Sequence, residues 1–226
     1  MSKAVVLFSG GQDSVTCLWW AKMVHDDVHA VTIEYGQRHH AEIAAAEKIA
    51  AMAGVPWSLF QFNALKEIGD SALLNKDEEI KLQGGRHDPE TPQGLPTSFV
   101  PGRNIFFLGI AAAYAAKIEA EYVVGGMCDT DYSGYPDCRL DTIQSLEHTF
   151  KLGLGATPEI KLETPLMRKT KAETVALAAR LPGCLDALAH SITCYNGEHP
   201  GCGTCPSCEL RAKGFEEAGI PDPARR

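Results

Sequence analysis

Short apolar segments alternate with helix-like segments along much of the chain. The first apolar run, Ala4 to Phe8, ends at a glycine pair, and helical spacing resumes from Ser14 to Lys22. A β-branched run at Val28 to Ile33 is followed by an alanine-rich stretch at Ala41 to Ala53, which Gly54 ends. The pattern therefore predicts a strand and a helix, followed by a second strand and a second helix.

Three more strands and two more helices are predicted in the same way. The strands are expected at Trp57 to Phe62, Glu121 to Val124 and Ile160 to Leu166, and the helices at Asn104 to Ile118 and Ala172 to Arg180. Strands that alternate with helices form parallel sheets covered on both faces. The predicted fold class is therefore α/β, with a five-stranded parallel sheet and binding loops at the carboxyl ends of its strands.

Two segments interrupt this pattern. Residues 66–100 are polar and rich in glycine and proline, and they are too many for an ordinary connection. From Leu181 onward the chain is rich in glycine, proline and cysteine. We therefore predict an α/β domain over residues 1–180, with a surface insertion or lid at about 66–100, and a metal-bound C-terminal subdomain over residues 181–226.

Composition and charge narrow the possible classes of protein. The 226 residues are 45% hydrophobic, which is enough for a large core and excludes disorder of the whole chain. The formal charge is -8, so no overall basic field draws the chain to nucleic acid or to an anionic membrane. No apolar run is long enough to span a membrane, and no signal-peptide pattern follows Met1. We expect a cytoplasmic protein without a direct nucleic-acid or membrane partner.

The glycine-rich segment from Ser9 to Ser14 lies between the first strand and the first helix. Its adjacent glycines allow backbone N–H groups and two serine hydroxyls to face one anion at a helix N-terminus. It lacks the lysine of the Walker loop and the glycine spacing of the dinucleotide fingerprint. The segment predicts a phosphate site, and the alternative is a plain strand-to-helix turn. Within it, Asp13 either caps the helix or helps to hold the Mg²⁺ that accompanies ATP.

Four of the eight cysteines lie within fifteen residues of each other, at Cys194, Cys202, Cys205 and Cys208. Four thiolates complete a closed tetrahedral Zn²⁺ site, and a closed site is structural. An iron–sulfur cluster, which also takes four cysteines, is the alternative. Because no secretion signal is present, disulfides are not expected, and Cys17 on the first helix is interpreted as a small buried apolar residue.

The segment after the fourth strand, Gly125 to Cys138, is dense in carboxylates and aromatic rings. Carboxylates accept hydrogen bonds from a guanine-like N–H edge or hold a metal, and tyrosines stack on a ring. The candidates for substrate contact are Asp129, Asp131, Tyr132, Tyr135 and Asp137. A solvated acidic loop is the alternative interpretation.

Three further polar clusters are expected near the same edge of the sheet. Arg103 opens a buried helix and suits a phosphate or carboxylate, although it also fits as a surface arginine. The run from Arg168 to Lys171 precedes another helix, where cations and N–H groups neutralise polyphosphate charge. The run from Tyr35 to His39 either contacts adenine or substrate, or simply leads into the second helix.

Six motifs taken together resemble those of the 7-cyano-7-deazaguanine synthase family, a branch of the N-type ATP pyrophosphatases with the PP-loop. They are SGGQDS from Ser9, YGQRH from Tyr35, FVPGRN from Phe99, DYSGYPDC from Asp131, PLM with KAET from Lys171, and TCYNG from Thr193 with the downstream cysteines. The resemblance spans nearly the whole chain and implies a fold like that of the adenine nucleotide alpha hydrolases.

The resemblance also implies a function: a homodimeric, AMP-forming ligase in queuosine biosynthesis, a tRNA modification pathway. The small-molecule substrates would be 7-carboxy-7-deazaguanine, ammonium and ATP, and the nitrile would form through two adenylations. ATP with Mg²⁺ would be the cosubstrate, and Zn²⁺ would be structural. Because position 2 is Ser2 and no glutamine-hydrolysing nucleophile is recognised, free ammonium is the expected nitrogen source.

The resemblance implies specific residues for each role. The catalytic residues would be Ser9, Asp13, Ser14, Arg103 and Lys171. The ATP-binding residues would be Phe8, Ser9, Gly10, Gly11, Gln12, Asp13, Ser14, Val15, Thr16, Cys17, Leu18 and Lys169. The substrate-binding residues would be Tyr35, Gln37, Arg38, Asp129, Asp131, Tyr132, Ser133, Tyr135 and Asp137.

Two other functions share some of these features. An ATP-dependent tRNA sulfur transferase uses the same glycine loop, but it needs a reactive cysteine and a basic docking surface, which the negative net charge disfavours. A zinc-dependent regulator that binds nucleotide without turnover is the third interpretation.

Overall fold

The computed structural model describes residues 1–37, 40–68, 71, 73–74, 95, 97–129 and 135–225. Its strands are β1 (Lys3–Leu7), β2 (Asp27–Glu34), β3 (Trp57–Gln61), β4 (Tyr122–Val124) and β5 (Lys161–Glu163). Its α-helices are α1 (Gln12–Val24), α2 (Ala41–Ala53), α3 (Leu65–Ile68), α4 (Arg103–Lys117), α5 (Leu140–Gly153), α6 (Lys171–Arg180), α7 (Cys184–Leu188) and α8 (Pro206–Glu217). Two short 3₁₀ helices cover Pro136–Cys138 and Pro223–Arg225.

The five strands form one parallel sheet in the order β3-β2-β1-β4-β5. This confirms the predicted α/β fold class. The chain moves outward from β1 through β2 to β3 and then returns to the other side of β1 with β4. In such sheets ligands bind where the strand order reverses, outside the carboxyl ends of the strands. The ends of β1 and β4 are therefore the expected place for a binding site.

Alternate residues of the inner strands serve two separate apolar layers. In β1, Ala4 and Val6 belong to the layer that contains α1, α2, α6 and α7, whereas Val5 belongs to the layer that contains α4 and α5. Because side chains of a strand point alternately to the two faces, a continuous apolar run is what a doubly covered strand requires. Burial of each large apolar side chain contributes about 1.5–3 kcal/mol, which holds the helices on both faces.

The fifth strand is shorter than predicted. It ends at Glu163, and a turn follows in which Met167 N–H donates to Thr164 O at 3.0 Å. Pro165 lies inside this turn, and proline has no N–H for a strand ladder but a φ angle suited to turns. Leu166 is nevertheless buried, so its apolar character reflects core packing and not a strand.

The C-terminal residues share the main core. Phe215 of α8 and Leu188 of α7 belong to the same buried cluster as Val15 and Leu18 of α1. The division of the chain at residue 180 stays a prediction, and most of the predicted insertion at 66–100 lies outside the described residues. Among the helices that the structure describes, none combines the length and apolarity needed to cross a membrane.

Candidate active site and metal centre

The segment from Ser9 to Ser14 turns tightly between β1 and α1. Gly10 has a φ of 81°, and a Cβ at this position would lie 2.9 Å from the backbone nitrogen of Ala46 in α2. Only glycine allows both this conformation and this approach. Gly11 N–H donates to Ser9 Oγ at 3.3 Å, and the Ser9 and Ser14 hydroxyl oxygens lie 3.2 Å apart. Two hydroxyls thus lie together at a helix N-terminus, where anions are stabilised.

Asp13 pairs with Lys171 across 158 residues of sequence. Lys171 Nζ donates to Asp13 Oδ2 at 2.5 Å, and both side chains are largely buried. The other oxygen, Asp13 Oδ1, is buried without a hydrogen-bond partner among the described residues. Asp13 does not cap α1, because the N-cap is Gly11 and no side chain caps it. An unpartnered carboxylate oxygen beside the glycine loop fits a Mg²⁺ ligand.

A cavity of about 310 Å³ opens beside this loop, in the size range of small-molecule sites. Eight of the predicted site residues line it together: Phe8, Ser9, Asp13, Ser14, Tyr35, Gln37, Arg103 and Tyr135. The cavity therefore joins the glycine loop to four of the residues predicted for substrate contact or phosphate neutralisation.

Arg103 is the first residue of α4, and its guanidinium lies 5.7 Å from the centre of the Tyr135 ring. Burial by itself lowers the pKa of Arg103. The interactions with Tyr35, Tyr135 and the Asp137 carboxylate outweigh this effect, so the net pKa lies above its usual value. Burial also raises the pKa of Tyr35 and that of Tyr135. Among the described residues that line the cavity, Arg103 is therefore a permanent cation beside neutral aromatic rings.

Asp137 fixes the start of α4. Its Oδ2 accepts a hydrogen bond from Asn104 N–H at 2.9 Å, and its Oδ1 accepts one from Asn104 Nδ2 at 3.1 Å. Only 4% of Asp137 is exposed. Both carboxylate oxygens thus hold the residue next to Arg103, and the predicted contact between Asp137 and substrate stays a prediction.

The remaining predicted ATP-binding residues of α1 do not line the described part of the cavity. Gln12, Val15, Thr16, Cys17 and Leu18 are buried, and Thr16 Oγ1 donates to Gln12 O at 3.0 Å. Burial raises the pKa of Cys17 well above its usual value, which agrees with its interpretation as a small apolar residue. Contact between these five residues and ATP stays a prediction.

Other predicted positions lie around the rim or outside the description. Asp129 is exposed, and its N–H donates to Met167 O at 3.0 Å. The carbonyl oxygen of Lys169 accepts a hydrogen bond from Cys128 Sγ at 3.1 Å. The last four substrate candidates, Arg38, Asp131, Tyr132 and Ser133, lie outside the described residues.

Several cavity residues were not assigned to the site from sequence. Glu42, in the first turn of α2, lines the cavity, and burial raises the pKa of its carboxyl to about 7 although Arg103 lowers it. Tyr195, next to the metal-ligand candidate Cys194, also lines it, as do Cys128 and Cys138. One feature of the sequence could have predicted Glu42 as a cavity residue, namely its position just after the polar cluster that follows β2.

The four clustered cysteines converge as a metal site requires. All four Sγ atoms of Cys194, Cys202, Cys205 and Cys208 lie within 4.8 Å of one another, and two pairs are 4.0 Å apart. A tetrahedron with bonds of about 2.3 Å has edges of about 3.8 Å. A Cβ on Gly201 would lie 2.8 Å from Cys208 Sγ, so glycine leaves room for that thiolate. The residues fit a closed four-sulfur metal site.

Comparison with known proteins assigns the family. The family model described as queuosine biosynthesis protein QueC matches residues 3–219. The chain belongs to this family. It is 52% identical to a Chromobacterium violaceum protein named 7-cyano-7-deazaguanine synthase, over 98% of this chain and 92% of that protein. A Laribacter hongkongensis protein with the same name is 48% identical, over 97% and 93% of the two chains.

A solved structure shares the fold at low identity. It is a 4-thiouridine synthetase in complex with RNA and bound ATP, 16% identical, with a TM-score of 0.50 over 96% of this chain and 50% of that chain. At this identity the likeness extends to the fold alone.

Proposed function

We propose that the chain is an ATP-dependent ligase that converts 7-carboxy-7-deazaguanine and ammonia into 7-cyano-7-deazaguanine in queuosine biosynthesis. The observation that carries this proposal is the 52% identity, over nearly the full length, with a protein named 7-cyano-7-deazaguanine synthase. A cavity that connects the glycine loop with Arg103, Tyr35 and Tyr135 supports it, because ATP and the acid must meet in one place.

The conversion of a carboxylate to a nitrile needs two activations, because both carboxylate oxygens must leave. In the first, the carboxylate attacks the α-phosphate of ATP, pyrophosphate leaves, and an acyl-adenylate forms. Ammonia then displaces AMP to give the amide and a proton. In the second, the amide oxygen attacks another ATP and pyrophosphate leaves. AMP departs with that oxygen, and the nitrile forms as the nitrogen loses its remaining protons.

Each step places negative charge on phosphate, and the chain offers groups that bind it. The Ser9 and Ser14 hydroxyls with the loop N–H groups would hold the phosphates, and Lys171 and Arg103 would neutralise their charge. Mg²⁺ bound with ATP would supply further neutralisation, and Asp13 would hold it through its unpartnered oxygen. The route requires no covalent nucleophile, so positioning and charge stabilisation account for catalysis.

The apolar part of the cavity suits a flat heterocycle. The ring centroids of Tyr35 and Phe107 lie 5.1 Å apart, and Tyr135 lines the same cavity. We assign the deazaguanine ring to this region, where Gln37 and the loop after β4 would form hydrogen bonds with the polar edge of the ring. The carboxylate would then point toward Arg103 and the glycine loop.

The four-cysteine site is proposed to hold structural Zn²⁺. With four sulfur ligands no coordination position stays open for substrate, and binding contributes on the order of 10 kcal/mol to the order of such a segment. The cytoplasmic location expected from sequence and the homodimer implied by the family resemblance stay predictions.

Mass spectrometry of the complete reaction tests the proposal. Protein with ATP, Mg²⁺, ammonium and 7-carboxy-7-deazaguanine is expected to give the nitrile with two AMP and two pyrophosphate per nitrile. Lys171→Ala is expected to lose at least about 100-fold in rate, since one group that stabilises transition-state charge is removed. Lys213→Ala, an exposed lysine on α8, serves as the control and should retain the wild-type rate. Formation of AMP without nitrile would refute the proposed acid substrate. Absence of AMP would refute the proposed ligase activity.

A further inference from the structure

We propose that Thr193 is a positioning residue that couples the metal centre to the ATP loop, so that metal binding and ATP binding strengthen each other. The inference rests on the proposed function for both sites. It concerns a link between them that neither the cysteine cluster nor the glycine loop reveals alone.

Two consecutive residues before the first cysteine hold the glycine loop. Ile192 N–H donates to Gly10 O at 3.2 Å. The Thr193 hydroxyl accepts a hydrogen bond from Gln12 N–H at 3.4 Å. Gly10 and Gln12 belong to the loop that carries the phosphate-binding N–H groups, and Cys194 follows Thr193 directly. The backbone that the metal holds at Cys194 is therefore the backbone that positions the loop.

A second connection runs through α8. Arg211 lies three residues after the ligand Cys208, on the same helix, and is 4% exposed. Its Nη1 donates to Thr193 Oγ1 at 3.2 Å and to Ser191 Oγ at 2.7 Å. Two more hydrogen bonds of 2.8 and 2.7 Å join its guanidinium to Asp222. The position of the Thr193 hydroxyl is thus set from both ends of the metal-binding segment.

The residue on the other side of Cys194 reaches the substrate cavity. Tyr195 lines that cavity together with Ser9, Asp13 and Arg103. Metal binding at Cys194 therefore orders the chain on both sides of this ligand, toward the ATP loop through Thr193 and toward the cavity through Tyr195. Coupling between two binding equilibria is reciprocal, so ATP must tighten metal binding by the same factor as metal tightens ATP.

The test measures metal affinity and not activity. Wild-type protein loaded with Zn²⁺ is titrated with a chromogenic chelator, with and without saturating α,β-methylene-ATP and Mg²⁺, and nucleotide binding is followed in parallel by calorimetry. Nucleotide is expected to tighten Zn²⁺ binding by about fivefold or more, a usual strength for coupled sites. In Thr193→Val, which has a similar shape but no hydroxyl acceptor, the shift should fall below about twofold.

Two control variants separate the hydroxyl from general damage. Thr193→Ser keeps the acceptor and should restore the wild-type shift. Thr149→Val removes an exposed hydroxyl from α5, where it bonds only within its own helix, and should also behave as wild type.

Three results would overturn the inference. If wild type binds nucleotide without any change in Zn²⁺ affinity, the coupling is absent, and this holds even if Thr193→Val does not fold. An equal shift in wild type and Thr193→Val would remove the role of this hydroxyl. Absence of nucleotide binding in wild type would overturn both this inference and the proposed ligase, whereas the first two results leave the ligase intact.

Discussion

Replacement of Gly214 by alanine is expected to destabilise the protein through one close contact between α6 and α8. Gly214 is buried in α8 and faces the first residue of α6. A Cβ at this position would lie 2.9 Å from Lys171 Cβ and 3.2 and 3.3 Å from the carbonyl carbon and oxygen of Lys171. None of these atoms moves by side-chain rotation, so a helix must shift.

The magnitude follows from two opposing effects. Overpacking of this kind costs about 1–3 kcal/mol. Alanine in a helix interior is favoured over glycine by about 1 kcal/mol, which offsets part of this cost. Gly109→Ala in α4 provides the matched control, because a Cβ there meets no atom within 4 Å and gains the same helix preference. The difference between the two variants therefore isolates the contact, at about 1–3 kcal/mol.

Thermal unfolding with Zn²⁺ at saturation measures this difference. For a chain of this size 1 kcal/mol corresponds to roughly 3 °C, so Gly214→Ala should melt about 3–9 °C below Gly109→Ala. Gly109→Ala should melt at or slightly above the wild-type temperature. If Gly214→Ala melts as high as Gly109→Ala, the close packing of Gly214 against Lys171 is wrong.

Three further predictions concern single side chains. The pKa of Glu42 is raised to about 7 from an ordinary value of 4.5, so the wild-type free energy of unfolding should fall by up to about 3 kcal/mol relative to Glu42→Gln as pH rises through this interval. Denaturant unfolding at several pH values measures this difference, and a difference that stays constant with pH would contradict the prediction. Asp137→Ala should lower the free energy of unfolding by about 1–3 kcal/mol, because it removes both hydrogen bonds to Asn104 at the start of α4. The control Asp141→Ala, at an exposed position, should change it by less than about 0.5 kcal/mol in the same measurement. Equal effects of the two variants would show that the hydrogen bonds between Asp137 and Asn104 are unimportant for stability. Cys208→Ser should abolish stoichiometric zinc in elemental analysis and lower the melting temperature, whereas the control Cys17→Ala should retain the metal. A Cys208→Ser variant that still binds one zinc per chain would exclude the four-sulfur site.

The secondary structure was predictable wherever a local pattern had one interpretation. The apolar run of β1 and the alanine-rich α2 with its terminal glycine correspond closely to the elements observed. The last strand was extended too far, because Leu166 is apolar for the core and Pro165 turns the chain before it. The cysteine cluster was predictable because its four ligands are close in sequence, and a metal site of this type needs little more than spacing.

The active site was predictable in its parts but not in its arrangement. Sequence alone predicted a phosphate loop, an arginine at a helix start and a four-cysteine metal segment, because each of these predictions depends on neighbouring residues. Only the tertiary structure decided that Lys171 meets Asp13, that Asp137 holds Asn104 instead of lying open, and that Glu42 lines the same cavity as Asp13 and Asn104. These residues are far apart in the chain, and they come together because the strand order β3-β2-β1-β4-β5 brings the segments after β1, β2, β4 and β5 to one edge of the sheet. Strand order follows from the packing of the whole core, and no local pattern encodes it.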